Sequence, residues 1–515
     1  MQRKQLTLVI VSLLVVVLSV SLAWFTTQII GKGKDVSITS ANLQIVFTDS
    51  DGAISGSNIE PGWSDTKTFT VENNSKSEYK YNIVIKDLMN TFVTKGYLKY
   101  KITSTNGGYN MTEFKDIPKS SGPKDKVLAY SVSIPVGVTQ SYTIEFKYAN
   151  DESVDQSDDM GKKLSGTLFI TEGTEDIYAG YEEGTLGYQI MGDNPTRSTR
   201  SNNNNGTNDF ATPLTTTTTG TLFTSTESIT GITDSPKEVY YYAGNTTNNW
   251  VKFANLYWRI IRTNHDGSIR LLYVGTSHDT TTGNIGQSVF NTNRNSPKYV
   301  GYKYGEDTSL DTIRNNTTNS TIKTFIDSWY KNNLTNYTKY LSTSAVYCND
   351  RSLGTGQTYS VSDDFNFVPY YRIDYDTKGA KANPSYNCTD IRDAFSTENT
   401  SAKLDYPISL MTADEIAFAG GVAYQKMNTP YAWFISNSAG TQVSTDWWSL
   451  SPNYWSNGSA YVWYWNSDIA FLNYFYVDNT DAVRPAISLK SCIKYSTGDG
   501  TSESPYEIVE TSSGC

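Results

Sequence analysis

The chain has 515 residues, formal net charge −10, a pI near 4.9, 38 % hydrophobic and only 18 % charged residues. That length and apolar content supply cores for two or three domains and exclude a disordered chain. No Lys/Arg block follows the first 34 residues, so the electrostatic contribution that nucleic-acid binding needs is missing and no nucleic-acid partner is expected. Thirty-eight tyrosines, with abundant Thr and Asn, point to β-structure joined by polar loops.

The one strongly apolar run is LTLVIVSLLVVVLSVSLAWFTTQII, residues 6–30, with Arg3 and Lys4 before it and Lys32 and Lys34 after it. It is long enough to span a hydrocarbon core of about 30 Å as a single helix. Residues 1–34 are therefore read as a signal anchor engaging the membrane through residues 6–30, with the rest of the chain outside the cell. Ser21-Leu22-Ala23 is the small-residue site at which a cleaved leader would be cut, leaving a secreted protein. No sortase-type signal is read in the closing TSSGC.

From 35 to 172 come short alternating runs: VSITSANLQIVF, TKTFTVEN, YKYNIVI, YLKYKIT, LAYSVSIP, SYTIEFKY and LSGTLFIT, separated by Gly, Pro, Asn, Asp and Ser. Period-two strands with no helical pattern between them predict an all-β antiparallel sandwich. In TDSDGAISGSNIE, Asp49, Asp51 and Glu60 take the first, third and twelfth places of a calcium loop. Ala53 and Ile54 replace the fifth ligand and the turn glycine, so no such site is expected. The acidic run at 150–159 reads as a solvated loop. No metal or other cofactor is expected.

Residues 173–235 contain SNNNNGTND and TTTTTG and read as a polar Thr/Asn-rich linker, with TLGYQIMGDNPTRSTR and TGTLFTSTES as the entry to the next module. From 236 to 515 an α+β domain is predicted. NNWVKFA, LYWRIIRT and SIRLLYVG are strands, with Asn264-His265-Asp266-Gly267 as a hairpin turn. Ile322, Phe325, Ile326 and Trp329 fall on one helical face behind Ser320 as N-cap. Thr412 and Glu415 form a capping box for a helix closed by Gly420-Gly421. Asp414 and Glu415 are the acids an enzyme reading would use, but adjacent acids at a capped helix start are macrodipole partners, so no enzymatic activity is expected.

Four cysteines, Cys348, Cys388, Cys492 and Cys515, have no metal-type spacing and imply two disulfides in an exported chain. Of the three connectivities, local closure favours Cys348–Cys388 with Cys492–Cys515. Six of eleven tryptophans lie between Trp433 and Trp465, among Tyr, Asn, Ser and Asp. Large aromatics at low entropy cost, interleaved with short polar side chains, make up the composition of a binding surface.

Two resemblances follow from these motifs. NIEPGWSDTKTFTVENNSKSEYKYNIVI resembles the TasA/camelysin family, which implies a jelly-roll-like sandwich serving as stalk or matrix subunit. FANLYWRIIRTNHDGSIRLLY, VYCNDRS, YPISLMTADEIAFAGG, WWSLSP and AVRPAISL resemble the C-type-lectin-fold modules of bacterial and phage surface proteins. That group includes formylglycine-generating-enzyme-like modules and the variable proteins of diversity-generating retroelements. The second resemblance implies that residues 250–262 lie beside 486–490 and that the segment from Pro452 to Asp481 projects on a solvent-facing surface. The implied binding face is Tyr454, Trp455, Tyr461, Trp463, Trp465, Asp468, Asn473, Tyr474, Tyr476, Asp478 and Asn479, over a core of Val462, Leu472, Val477 and Val483. Arg484 is expected in a structural salt bridge or backbone contact. The Glu-Pro-Asn or Gln-Pro-Asp motif of calcium-dependent sugar recognition is absent, and only Trp465-Asn466-Ser467-Asp468 approaches the Trp-Asn-Asp motif. Trp455, Trp463 and Trp465 are not products of adenine mutagenesis of Asn codons. The expected function is display of a lectin-fold head for a protein or glycan ligand; the alternative is a structural matrix or fibre-forming subunit.

Overall fold

The computed structural model describes residues 59–94, 96–118, 120–174, 176–203, 206–374 and 382–515, and the backbone of three strands at 36–40, 43–49 and 53–56. The expected anchor and Asp51 lie outside the described residues. Among the described residues no helix is long and apolar enough to cross a membrane. The chain divides into two compact units, residues 1–176 and 177–515.

The described part of the first unit is β apart from one short 3-10 turn, Ser157–Asp159. One sheet orders β1 (Val36–Ser40), β2 (Leu43–Asp49), β4 (Ser64–Asn73), β9 (Thr139–Tyr148), β6 (Leu98–Ser104) and β7 (Lys115–Asp116). The other orders β3 (Ala53–Gly56), β10 (Leu164–Glu172), β5 (Tyr79–Asn90) and β8 (Ser120–Ile134). Every pairing in both sheets is antiparallel. Alternation makes the sandwich: Gln140, Tyr142, Ile144, Phe146 and Tyr148 point inward from β9 and meet Phe69, Val71, Ile102, Ile83 and Ile170 in one core. Tyr81 reaches the other sheet, its hydroxyl 2.6 Å from Gln140 Oε1 and 2.5 Å from the Tyr142 hydroxyl.

The second unit is β-rich with short helices. Its large sheet orders β11 (Thr196–Thr199), β12 (Thr221–Glu227), β13 (Lys237–Tyr241), β15 (Leu256–Thr263), β14 (Trp250–Phe253), β30 (Tyr506–Ile508) and β29 (Tyr495–Thr497). It continues from β15 through β16 (Ile269–Gly275) and β28 (Pro485–Leu489) to β23 (Ile408–Leu410). A second sheet orders β17 (Gln287–Val289), β27 (Thr480–Ala482), β24 (Trp447–Ser456), β25 (Ser459–Asn466) and β26 (Phe471–Tyr476), with β21 (Phe365–Asn366) against β24. Two short pairs join β18 (Lys303–Tyr304) to β19 (Thr318–Asn319) and β20 (Tyr347–Cys348) to β22 (Ala394–Phe395). The helices are α1 (Leu186–Asp193), α2 (Leu310–Ile313), α3 (Thr321–Asn333), α4 (Val368–Ile373) and α5 (Ala413–Ala419).

Several local signals act as read. Ser320 accepts the Lys323 N–H at 3.2 Å at the start of α3, which buries Ile322 and Ile326. Thr412 and Glu415 cap α5 reciprocally at 3.0 Å each, and Gly420 ends it at φ +119, where a side chain would meet the Leu214 carbonyl. The Asn264–Ser268 turn joins β15 to β16. Disulfides link Cys348 to Cys388 and Cys492 to Cys515.

One expectation is extended and one corrected. Within 173–235 the module entry takes nearly the whole segment: from Ile177 it belongs to the second unit, where Leu186, Ile190 and Leu222 of the expected entry pieces are buried, and Ile229 with them. Few apolar residues suffice because they fall on α1 and β12, which dock on an existing core. The closing strand β28 pairs with β16 and β23, not with residues 250–262. The tight hairpin folds Ile269–Gly275 back into that place, and β14 pairs in parallel with β30 instead.

Candidate functional site

The sheet formed by β24, β25 and β26 carries every residue of the implied binding face except those in its connecting turns. Tyr461 lies opposite Tyr476, Trp463 opposite Tyr474, and Tyr464 opposite Asn473. One face therefore carries Tyr461, Trp463, Trp465, Tyr474 and Tyr476, and the other Val462, Tyr464, Asn473 and Phe475.

The tryptophans are core. Trp455 is 2 % exposed, and Trp463 and Trp465 are fully buried, with Trp447 and Trp448 beside them. Trp465 stands perpendicular to Phe434 at 4.9 Å, and Trp448 meets Phe290 at 6.0 Å. The indole N–H groups of Trp447, Trp455, Trp463 and Trp465 meet no protein acceptor, against the usual pairing of buried indoles, so packing alone holds these rings. Trp455, Trp463 and Trp465 are thus corrected from the solvent-facing surface to the interior. Alternation puts them on one face as expected, but residues 421–434 lie over that face, with Gly421 and Phe434 against Trp465 and Tyr424 near Trp463. Val462, Leu472, Val477 and Val483 are fully buried.

The tyrosines gather at the other end. Tyr454 lies 4.3 Å from Tyr461 and 4.9 Å from Tyr474, and Tyr461 lies 4.5 Å from Tyr476. Tyr454, Tyr474 and Tyr476 are half-buried, while Tyr461, 8 % exposed, is the floor between them. Burial, then hydrogen bonds and charge among these phenols, pushes the Tyr454 and Tyr461 hydroxyls above their ordinary range, so they remain neutral at any physiological pH. The Arg294 guanidinium sits 4.2 Å over the Tyr476 ring and pairs with Asp478 at 3.5 Å. Asn479 donates its N–H to the Tyr476 carbonyl in the adjoining turn.

Asp468 is exposed in the β25–β26 turn at the opposite end of the strands, and Asn473 lies on the opposite face, so neither joins this cluster. The structure adds Tyr424, 37 % exposed and within 6.2 Å of Tyr474, Tyr370 at 6.1 Å from Tyr454, and Arg294. All three come from distant loops or α4 and follow no periodic pattern. Tyr424 has a local signature only in its backbone, φ +58.

The acids at the α5 start lie elsewhere, in a buried ionic network. Glu415 receives Arg262 at 2.9 Å and Arg270 at 2.6 Å; Arg262 also reaches Glu227 at 2.8 Å. Arg372 bridges Asp414 at 2.9 Å and Asp350 at 2.6 Å. Burial pushes Glu227 and Glu415 up, but the guanidiniums outweigh it and hold both carboxyls below the usual range. The space left among these groups is about 20 Å³, enough for one water and no substrate. Arg484 donates to the Phe434 and Tyr273 carbonyls at 2.6 and 3.1 Å, the backbone role expected of it. Among the described residues no group of three His, Cys, Asp or Glu side chains is placed to hold a metal ion.

No family model and no curated protein matches this chain. Among solved structures it is similar to one described as "AvmM Catalyzes Macrocyclization in Alchivemycin A Biosynthesis", at 12 % identity and TM-score 0.15, over 28 % of this chain and 98 % of that one. A second, "Crystal structure of a ruminal GH26 endo-beta-1,4-mannanase", is 13 % identical at TM-score 0.15, over 29 % of this chain and 30 % of the other. At these scores neither likeness bears on fold or activity.

Proposed function

We propose that this is a membrane-anchored extracellular surface protein whose second unit is a C-type-lectin-like head that binds a protein or glycan ligand, with the first unit as its stalk. The observation that carries the reading is the tyrosine cluster Tyr454, Tyr461, Tyr474 and Tyr476, held on three hydrogen-bonded strands with Arg294 and Asp478 at its rim. Rigid amphipathic rings over a buried tryptophan core lose little entropy when a ligand covers them, and their hydroxyls accept and donate at the boundary. Paired cysteines suit an oxidising compartment, and residues 6–30 would supply the anchor.

The test is binding of the full chain in lipid nanodiscs to glycan and bacterial-surface-protein arrays, beside a variant with Tyr454, Tyr474 and Tyr476 changed to Ser. Loss of a saturable ligand in a variant with unchanged near-ultraviolet circular dichroism supports the reading. Equal binding by the variant, or no ligand for the parent, defeats it.

A further inference from the structure

Behind the tyrosine face, at the opposite end of the strands, two carboxylates meet without a counter-charge. β27 and β24 run parallel with Ala482 beside Trp447, and the Ala482 N–H donates to the Asp446 carbonyl at 2.8 Å. Asp481 and Asp446 each precede one of that pair, so alternation turns both to the face that carries Tyr464. On the other flank, Trp447 opposite Trp465 brings Asn466 and Ser467 alongside Asp446.

The surroundings of Asp446 are built. Its Oδ1 accepts the Ser467 N–H at 2.7 Å and the Ser467 hydroxyl at 2.8 Å, and its Oδ2 accepts Asn466 Nδ2 at 3.2 Å. The same Asn466 Nδ2 donates to the Tyr464 hydroxyl at 2.8 Å, while Asn466 Oδ1 accepts the Ile469 N–H. Asp481 is different: it is 8 % exposed, and its Oδ2 is buried and meets no protein donor. No Lys, Arg or His offsets Asp481 among the described residues, and the charge that acts on it is that of Asp446. Elsewhere in this unit the buried carboxylates of Glu227, Asp393 and Glu415 are each matched by a guanidinium.

We propose that Asp446 and Asp481, with the Tyr464 hydroxyl as a neutral oxygen, form a site for a divalent cation, for which calcium is the best fit. The donors are all oxygen, with no imidazole or thiolate to favour zinc or copper. Asp446 Oδ1 is filled by its two bonds to Ser467, but Asp446 Oδ2 accepts only one bond and Asp481 Oδ2 none, so both keep lone pairs for an ion. Two carboxylates make an incomplete cage, and calcium tolerates irregular geometry completed by water, whereas magnesium demands a near-ideal octahedron. Asn466 and Ser467 act as positioning residues that aim Asp446. Asp468, the acid of the Trp465-Asn466-Ser467-Asp468 run, is exposed and takes no part. The bound ion would tie the ends of β27, β24 and β25 together. The site stands apart from the tyrosine cluster and does not depend on it binding a ligand.

The test uses the full chain in nanodiscs, stripped with EGTA and titrated with terbium, whose emission is sensitised by nearby Tyr464 and Trp448, and then with calcium as competitor. The expected result is sensitised emission displaced by calcium, and a melting temperature about 4 °C or more higher in calcium than in EGTA. Asp481→Asn is expected to weaken calcium binding at least about tenfold. In EGTA it should melt no lower than the parent, because the amide removes the like-charge contact and can donate to Asp446. Asp446→Asn serves as second variant if the first does not fold. Absence of a calcium effect on the parent overturns the proposal, because the pair then merely shares a proton. Undiminished binding in the folded Asp variants also overturns it, by placing the ion elsewhere.

Discussion

The two ends of the β24–β25–β26 sheet are built from the same residue types and do opposite things. At one end Trp447, Trp463 and Trp465 are fully buried and serve as packing; at the other Tyr454, Tyr474 and Tyr476 stay partly exposed. Alternation along a strand assigns a residue to a face, but whether that face is dry depends on what the rest of the chain lays over it. Here residues 422–434 lie over the tryptophan end. An aromatic-rich hairpin is therefore no binding surface as such, and only its uncovered end is a candidate.

Trp463→Ala should destabilise the second unit by about 3–5 kcal/mol, read from the denaturant midpoint. A change as large at Tyr474→Ser would show the two ends to be equivalent. Close behind is Glu415→Gln, which leaves Arg262 and Arg270 buried and short of charge, at a cost of about 3 kcal/mol or more on the same measurement. Breaking Cys348–Cys388 as a Cys→Ala pair frees a loop closed over 40 residues and should cost about 2–4 kcal/mol, with the tyrosine cluster's ligand binding retained below the transition.

The pH dependence sharpens the contrast further. Glu227 and Glu415 have carboxyls below their ordinary range when folded, so their contribution is fully present above the unfolded value. It is lost as pH falls through the folded one. Acid titration of the parent should therefore show stability falling below about pH 4.5. In Glu415→Gln that fall should be shallower. The smallest effect belongs to the rim: Tyr476→Phe should shift stability by no more than about 0.5 kcal/mol, measured by thermal melting.

Local chemistry was legible wherever the deciding interactions lie within a few residues. The capping box at Thr412 and Glu415, the Ser320 cap, the Asn264–Ser268 turn and the alternating strands of the first unit all follow from short-range geometry. Val462, Leu472, Val477 and Val483 were legible as core because an apolar side chain among polar neighbours has one favourable destination. Short-range signals in the chain thus set its β-rich character, its caps and turns, and a concentration of aromatics near the C-terminus. Only the tertiary structure decided which aromatics stay wet, that the polar stretch between the two entry pieces packs with the second unit, and that β28 pairs with β16. It also brought Tyr424 and Arg294 to the tyrosines and set Asp446 against Asp481. Each of those outcomes joins residues from separate strands or loops, and large amphipathic rings such as Trp and Tyr gain from burial and from exposure alike. Their fate is fixed by the covering surface, which no local pattern encodes.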